Sequence, residues 1–232
     1  MIEVFRYLDE KNYPLWNYLN GCLDIKIDYS YNHTYGARCK GKNCTIHVPR
    51  DKSYDSASFA HELLHVYLYT KNIHIGAVLK LSFNELSPFD IIFDENLCDH
   101  ISNVLEHLKI LPLYLHMGYE RNTFISDYNE IKSTIIPTIK NNDIYYSMRV
   151  NQFIGDLVAI LCDPNPIHNY ELYFKRSQNI DKDLFDIIFD FVNTWKLYDI
   201  KEEDNYLGPN HYTIVTEFID KLLKWSENKI FI

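Results

Sequence analysis

Residues 58–68 read SFAHELLHVYL. No Gly or Pro interrupts this stretch. Ala60, Leu63, Leu64 and Tyr67 recur at i, i+3, i+4 and i+7, so the spacing predicts a helix from about Ser56 to Thr70. On such a helix His61 and His65 lie one turn apart on the same face, and Glu62 is rotated from His61 by about 100°. Two imidazoles so arranged can hold one zinc ion, at about 2.0–2.1 Å each. Glu62 can then reach a water on that ion without ligating the ion itself. The competing reading is an ordinary helix whose two histidines are satisfied by hydrogen bonds.

The text on either side has a different character. In YGARCKGKNCTIHVPR (35–50), Arg38–Cys39 and Cys44–Val48 read as two strands around a Lys-Gly-Lys-Asn turn, and Pro49 ends the second. Asp51–Ser56 is a polar loop. Residues 1–30 mix short helical and extended signals, and 71–86 show no clear period. Ser87-Pro88-Phe89-Asp90 has the composition of a helix start, which predicts a helix over 88–110 that stops near Pro112. HMGY (116–119) reads as a turn with Gly118 at an unusual φ. Further helices are expected over roughly 123–136, 147–162, 181–199 and 212–228, with a break at Asp163-Pro164-Asn165-Pro166. FDIIFD occurs at 89–94 and 185–190, too short a match for a repeat architecture.

Composition narrows the function classes. The chain has 232 residues and 47% hydrophobic residues, enough to bury a core. Its net charge is −9, and the basic stripes are short, such as Arg38, Lys40 and Lys42, so nucleic acid is not an expected direct ligand. No run of about 18 apolar residues exists to span a membrane. The start, MIEVFRYLDEKNYP, lacks a basic segment followed by an apolar run, so no signal peptide is expected. The five cysteines are scattered and odd in number, which leads to the expectation of a reduced, cytoplasmic protein. Cys39, Cys44 and His47 are too loosely spaced for a second zinc site and read as a hairpin with small thiols.

His61-Glu62-Leu63-Leu64-His65, with the strand Thr45-Ile46-His47-Val48 ahead of it and a polar-striped helix behind it, resembles the zincin metallopeptidases. SFAHELLH after a strand and loop is similar to the ImmA/IrrE-type peptidases of bacteria and mobile elements. The resemblance covers about residues 35–112. It implies an α+β fold with a minimal zincin-like core of small sheet, active-site helix and ligand-bearing helix. That core is expected over 1–118, with a mainly helical extension over 119–232 packed on it as one structural unit. It also implies zinc (Zn2+) as cofactor and hydrolysis of a peptide bond, with Glu62 as general base and metal-bound water as nucleophile. The partner would be a protein or peptide substrate, such as a regulatory protein. Zincin edge strands commonly pair with extended substrates, which would put His47 along the cleft. The alternative is a non-catalytic, zincin-fold protein-binding module.

A catalytic zinc site needs a third protein ligand. The helix expected after residue 88 offers Glu95, Asp99, Asn103 and His107 at steps of four; each step drifts by about 40°, so not all can face one ion. In one solution His107 ligates and Asn103 supports it. Asn-x-x-x-His followed by Pro and a Gly-aromatic pair is similar to a set of bacterial HExxH proteins. In the other solution Glu95 ligates and Asp99 accepts a hydrogen bond from a ligand histidine, as in thermolysin-like zincins. Glu106 and Asp99 are further candidates. Asp99 and Asn103 are the expected supports of the ligands. Tyr114, His116 and Tyr119 are within sequence reach as oxyanion stabilisers, and nothing singles one out.

Overall fold

The computed structural model describes residues 4–30, 34–50, 54–84, 86–87, 89–134, 137, 139, 145–200, 211–227 and 229. It is an α+β fold, mostly helical, with one three-stranded sheet. The chain forms two compact units. The first comprises residues 1–73 and 109–129, the second 74–108 and 130–232.

In the first unit, α1 (Tyr13–Cys22) precedes β1 (Asp24–Ser30), β2 (Gly36–Lys40), β3 (Asn43–Pro49) and α2 (Ser56–Thr70). The sheet order is β1-β3-β2; β1 runs parallel to β3, and β2 is antiparallel to it. Strand alternation divides β3 cleanly. Cys44, Ile46 and Val48 are buried, while Asn43 is exposed and Thr45 and His47 half-buried. The buried set joins Phe59, Leu63 and Val66 of α2, together with Tyr7, Trp16 and Leu19, in one core. Tyr7 stacks on Phe59 at 5.2 Å between ring centres. Each large apolar side chain buried here contributes roughly 1.5–3 kcal/mol.

The ends of α2 are fixed by local chemistry. Asp55 caps its start, accepting from Ala57 N at 3.0 Å and Ser58 N at 3.3 Å, a contact worth about 1 kcal/mol. At the other end Asn72 takes φ +57°. Ile73 N donates to Leu68 O and Asn72 N to Tyr69 O, which is a Schellman closure with apolar Ile73 and Leu68 at its two ends.

Cys39 and Cys44 sit directly opposite each other in the β2–β3 ladder, with Cα atoms 4.1 Å apart, and are joined as a disulfide. This corrects the expectation of five reduced thiols, and the cysteines no longer point to a reducing compartment. Cys22 is a free, exposed thiol, and Cys98 and Cys162 are free and buried.

The second unit is helical: α3 (Ile75–Phe83), α4 (Phe89–Ile92), α5 (Glu95–His116) up to residue 108, α6 (Tyr146–Leu161), α7 (Glu171–Ile180), α8 (Lys182–Leu197) and α9 (His211–Ser226). Phe83 stacks against Phe89 and Phe93, and Phe191 on α8 stacks on Phe218 of α9 at 4.1 Å. Trp195 of α8 is fully buried and donates its indole N–H to Leu105 O on α5 at 2.8 Å.

Several boundaries differ from the sequence reading. The helix expected over 88–110 is two helices. Asp94 breaks it by accepting from Leu97 N at 2.8 Å, the N-terminal cap of α5. Pro88 of the expected start lies outside the described residues. Pro112 does not end α5 but sits inside it. An internal Pro costs about 3 kcal/mol, which the burial of Ile110 and Tyr114 on either side offsets. The helix instead ends at Gly118, φ +88°: Tyr119 N donates to Tyr114 O and Gly118 N to Leu115 O, with Tyr114 and Tyr119 stacked across the closure. Residues 124–134 are turns rather than helix, and α3 and α7 were not expected. No described helix is long and apolar enough to cross a membrane.

Candidate metal centre

The capped start of α2 delivers His61 and His65 one turn apart. His61 and Glu62 are buried and His65 is half-buried. Nε2 of His65 lies 3.1 Å from Nε2 of His61. Two ligands of one tetrahedral zinc, each about 2.05 Å from it, stand roughly 3.3 Å apart. The two rings therefore converge on the kind of point an ion would occupy.

The far side of His61 is built by the segment after α5. The Phe124 ring packs on the His61 ring at 4.7 Å between centres, and the Phe124 backbone hydrogen-bonds the imidazole. Burial, helped by the neighbouring His65, pushes the His61 pKa down to about 3 despite that hydrogen bond. The ring is therefore neutral at physiological pH, the form that binds a metal.

Phe124 is itself held in place. Tyr114 packs edge-on against it at 5.2 Å, and the Tyr114 hydroxyl donates to Thr123 O at 3.1 Å. Tyr119 stacks on Tyr114 and donates to Asp9, at 2.9 and 3.0 Å to the two carboxylate oxygens. A line of contacts thus runs from Asp9 through Tyr119, Tyr114 and Phe124 to His61. Both tyrosines are buried and their hydroxyls engaged, and His116 is exposed.

The third donor comes from α5. This helix passes from the second unit into the first at Lys109 without interruption. His107 lies less than one turn before that point, so the helical hydrogen bonding carries it with the segment of the first unit. Ligand atoms of His61, His65 and His107 all lie within 4.8 Å of one another. Three imidazoles are a donor set suited to zinc, with a fourth position for water or substrate.

The other expected residues lie elsewhere on α5. Glu95 is its first residue, about 18 Å along the axis from His107, and pairs with Lys80 at 2.6 Å. Asp99 and Asn103 are exposed. Glu106 accepts from Ser102 Oγ at 2.9 Å. Sequence reasoning missed Phe124, which offers His61 a ring face, so no motif announces it. His47 pairs with Asp28 at 3.0 Å, and the disulfide removes Cys39 and Cys44 as metal donors.

Comparison with known proteins finds no family model that matches the chain, no curated protein that matches it and no solved structure that matches its fold.

Proposed function

We propose that this chain is a zinc-dependent peptidase built on a zincin-like core, with His61, His65 and His107 as the ligands. The observation that carries the reading is the convergence of His61 and His65 on one point, with Glu62 buried between them in sequence and His107 in reach. When bound, zinc supplies Lewis acidity: it lowers the pKa of a water and polarises a carbonyl oxygen.

The residues of the chain do the remaining work. Neutral His61 presents its Nε2 lone pair without first having to lose a proton. The Glu62 carboxylate accepts a proton from the attacking water as its oxygen bonds to the peptide carbonyl carbon. Glu62 then gives that proton to the amide nitrogen as the C–N bond breaks, leaving an amine and a carboxylic acid that keeps the water's second proton until it ionises, giving a carboxylate and an ammonium group at neutral pH. Burial of Glu62 strengthens its electrostatic hold on that proton path.

A cytoplasmic location belongs to this reading only with Cys39 and Cys44 reduced in the cell. The test of the mechanism is Glu62→Gln. The variant should retain metal and lose hydrolysis of a peptide library by at least about a hundredfold. Full activity in the variant would end the proposal. Unchanged biological activity without any hydrolysis in either protein would make the chain a binding module.

A further inference from the structure

The sheet has two unlike faces. One packs on the core. On the other, the register lines up three rows across β1, β3 and β2: Asp24–Asn43–Lys40, Lys26–Thr45–Arg38 and Asp28–His47–Gly36. Lys26, Arg38 and Lys40 are exposed, as is Lys42 in the hairpin turn. The run Gly36–Asn43 thus holds three cations and no acid, in a chain of net charge −9. Asp28 is taken up by His47 at 3.0 Å. Among the described residues, no carboxylate lies within ion-pair distance of Arg38, Lys40 or Lys42.

β2 is also an edge strand. Among the described residues its one neighbour in the sheet is β3, and no backbone hydrogen bond joins its outer edge to another described element. A row of open N–H and C=O groups can take an added strand. Arg38 and Lys40, two residues apart, project from the same face about 6.8 Å from each other. An extended segment beside β2 repeats that spacing, so its alternate side chains meet them at about 5 Å.

We infer that β2 and its exposed face recognise an extended polypeptide segment with acidic side chains at alternate positions. As a substrate class for the metal centre this rests on the peptidase reading; as binding it stands alone. A nucleic acid is the weaker occupant, because this face carries no Phe, Tyr or Trp to stack a base. Charge on an edge strand also guards against edge-to-edge pairing, but that role gives no preference for acidic peptides.

The test is fluorescence anisotropy on full-length Glu62→Gln protein, so that binding is read without turnover, with metal content measured on the same sample. The probes are a labelled nonapeptide of alternating Glu and Thr, its Gln-for-Glu and Lys-for-Glu counterparts, and a single-stranded oligonucleotide. The Glu peptide should bind at least about tenfold more tightly than the Gln peptide, and added salt should weaken it. Adding Arg38→Glu and Lys40→Glu should abolish the preference and transfer it to the Lys peptide, an outcome that a merely unfolded protein cannot give. Equal or absent binding of the Glu and Gln peptides, an unchanged preference after charge reversal, or tighter binding of the oligonucleotide would each overturn the inference. A metal-loaded protein with no preference loses this inference and keeps the peptidase reading. A preference without bound metal does the reverse.

Discussion

Nε2 of His65 stands 3.1 Å from Nε2 of His61, with the two rings inclined at 55°. His61 is buried and His65 half-buried, and the facing nitrogens stand at the spacing of two ligands on one zinc ion. Their convergence is most useful with an ion between them, and the first prediction follows from it.

Elemental analysis should find about one zinc per chain in the wild type after reconstitution. His61→Ala and His65→Ala should each reduce this to near zero, and His107→Ala should leave weak, readily chelated metal. Glu95→Ala should keep the full content, because Glu95 is engaged with Lys80 at the far end of α5. Metal loss in the Glu95 variant, with retention in the His107 variant, would reverse the ligand assignment.

Asp9 links the aromatic line behind His61 to pH. Burial pushes its carboxyl up, but hydrogen bonds from Asn12 N, the Ser56 side chain, the Tyr119 hydroxyl and Lys11 N outweigh this, and the pKa is lowered from 3.8. The unfolded chain thus takes up the proton first as pH falls. The stabilisation is present above about pH 4 and is lost as pH drops through the folded pKa below it. Tyr119→Phe should cost about 1.5 kcal/mol near neutral pH and raise the Asp9 pKa. Urea midpoints across pH 2–7 and carboxyl titration by NMR would show both; an unmoved Asp9 titration would remove Tyr119 from this role.

Thiol counting distinguishes the disulfide from the reduced hairpin. Without reductant, the native protein should show one reactive thiol, Cys22, and the denatured protein three, from Cys22, Cys98 and Cys162. Reduction should raise the denatured count to five. The Cys39→Ser, Cys44→Ser double variant should lose about 2 kcal/mol relative to the oxidised protein, as a short closed loop allows. Five thiols in unreduced denatured protein would disprove the bridge.

Gly76 and Gly155 form an internal control within the second unit. A Cβ on Gly76 would meet Cys98 O at 2.9 Å and Ser102 Cβ at 3.0 Å, where α3 crosses α5. On Gly155 it would meet the end of the Leu97 side chain at 3.3 Å and His100 Cδ2 at an ordinary 3.8 Å. Gly76→Ala should destabilise by about 1–3 kcal/mol, while Gly155→Ala should be near neutral or slightly stabilising. Thermal melts of the two variants make the comparison.

What could be read from the sequence was whatever depends on near neighbours. α2 is legible because its apolar spacing is its own, and His61, Glu62 and His65 follow from it. The β2–β3 hairpin and the Gly118 turn are local as well. His107 stood first among several α5 candidates, but only the return of that helix to α2 separates it from Glu95. The packing of Phe124 on His61 was not legible at all, since nothing local marks a contact made across 63 residues. α3 was hidden for a related reason. IGAVLKLSF has no polar face to mark a period, and its Gly76, a helix weakener alone, is required by the close approach of α5. Pro112 misled because tertiary burial around it outweighed its local penalty.

The interleaving of the two units governs how the chain can be made. The first unit needs residues 109–129, which follow the opening segment of the second, and the second needs everything after 130. On a ribosome neither can finish as an early, self-contained intermediate. Phe124 reaches His61 on α2 only after the 74–108 insertion has emerged, so this part of the first unit is assembled late. Fragments cut at a single point, wherever it falls, would leave one unit incomplete, and limited proteolysis should yield nicked, associated pieces rather than a stable domain.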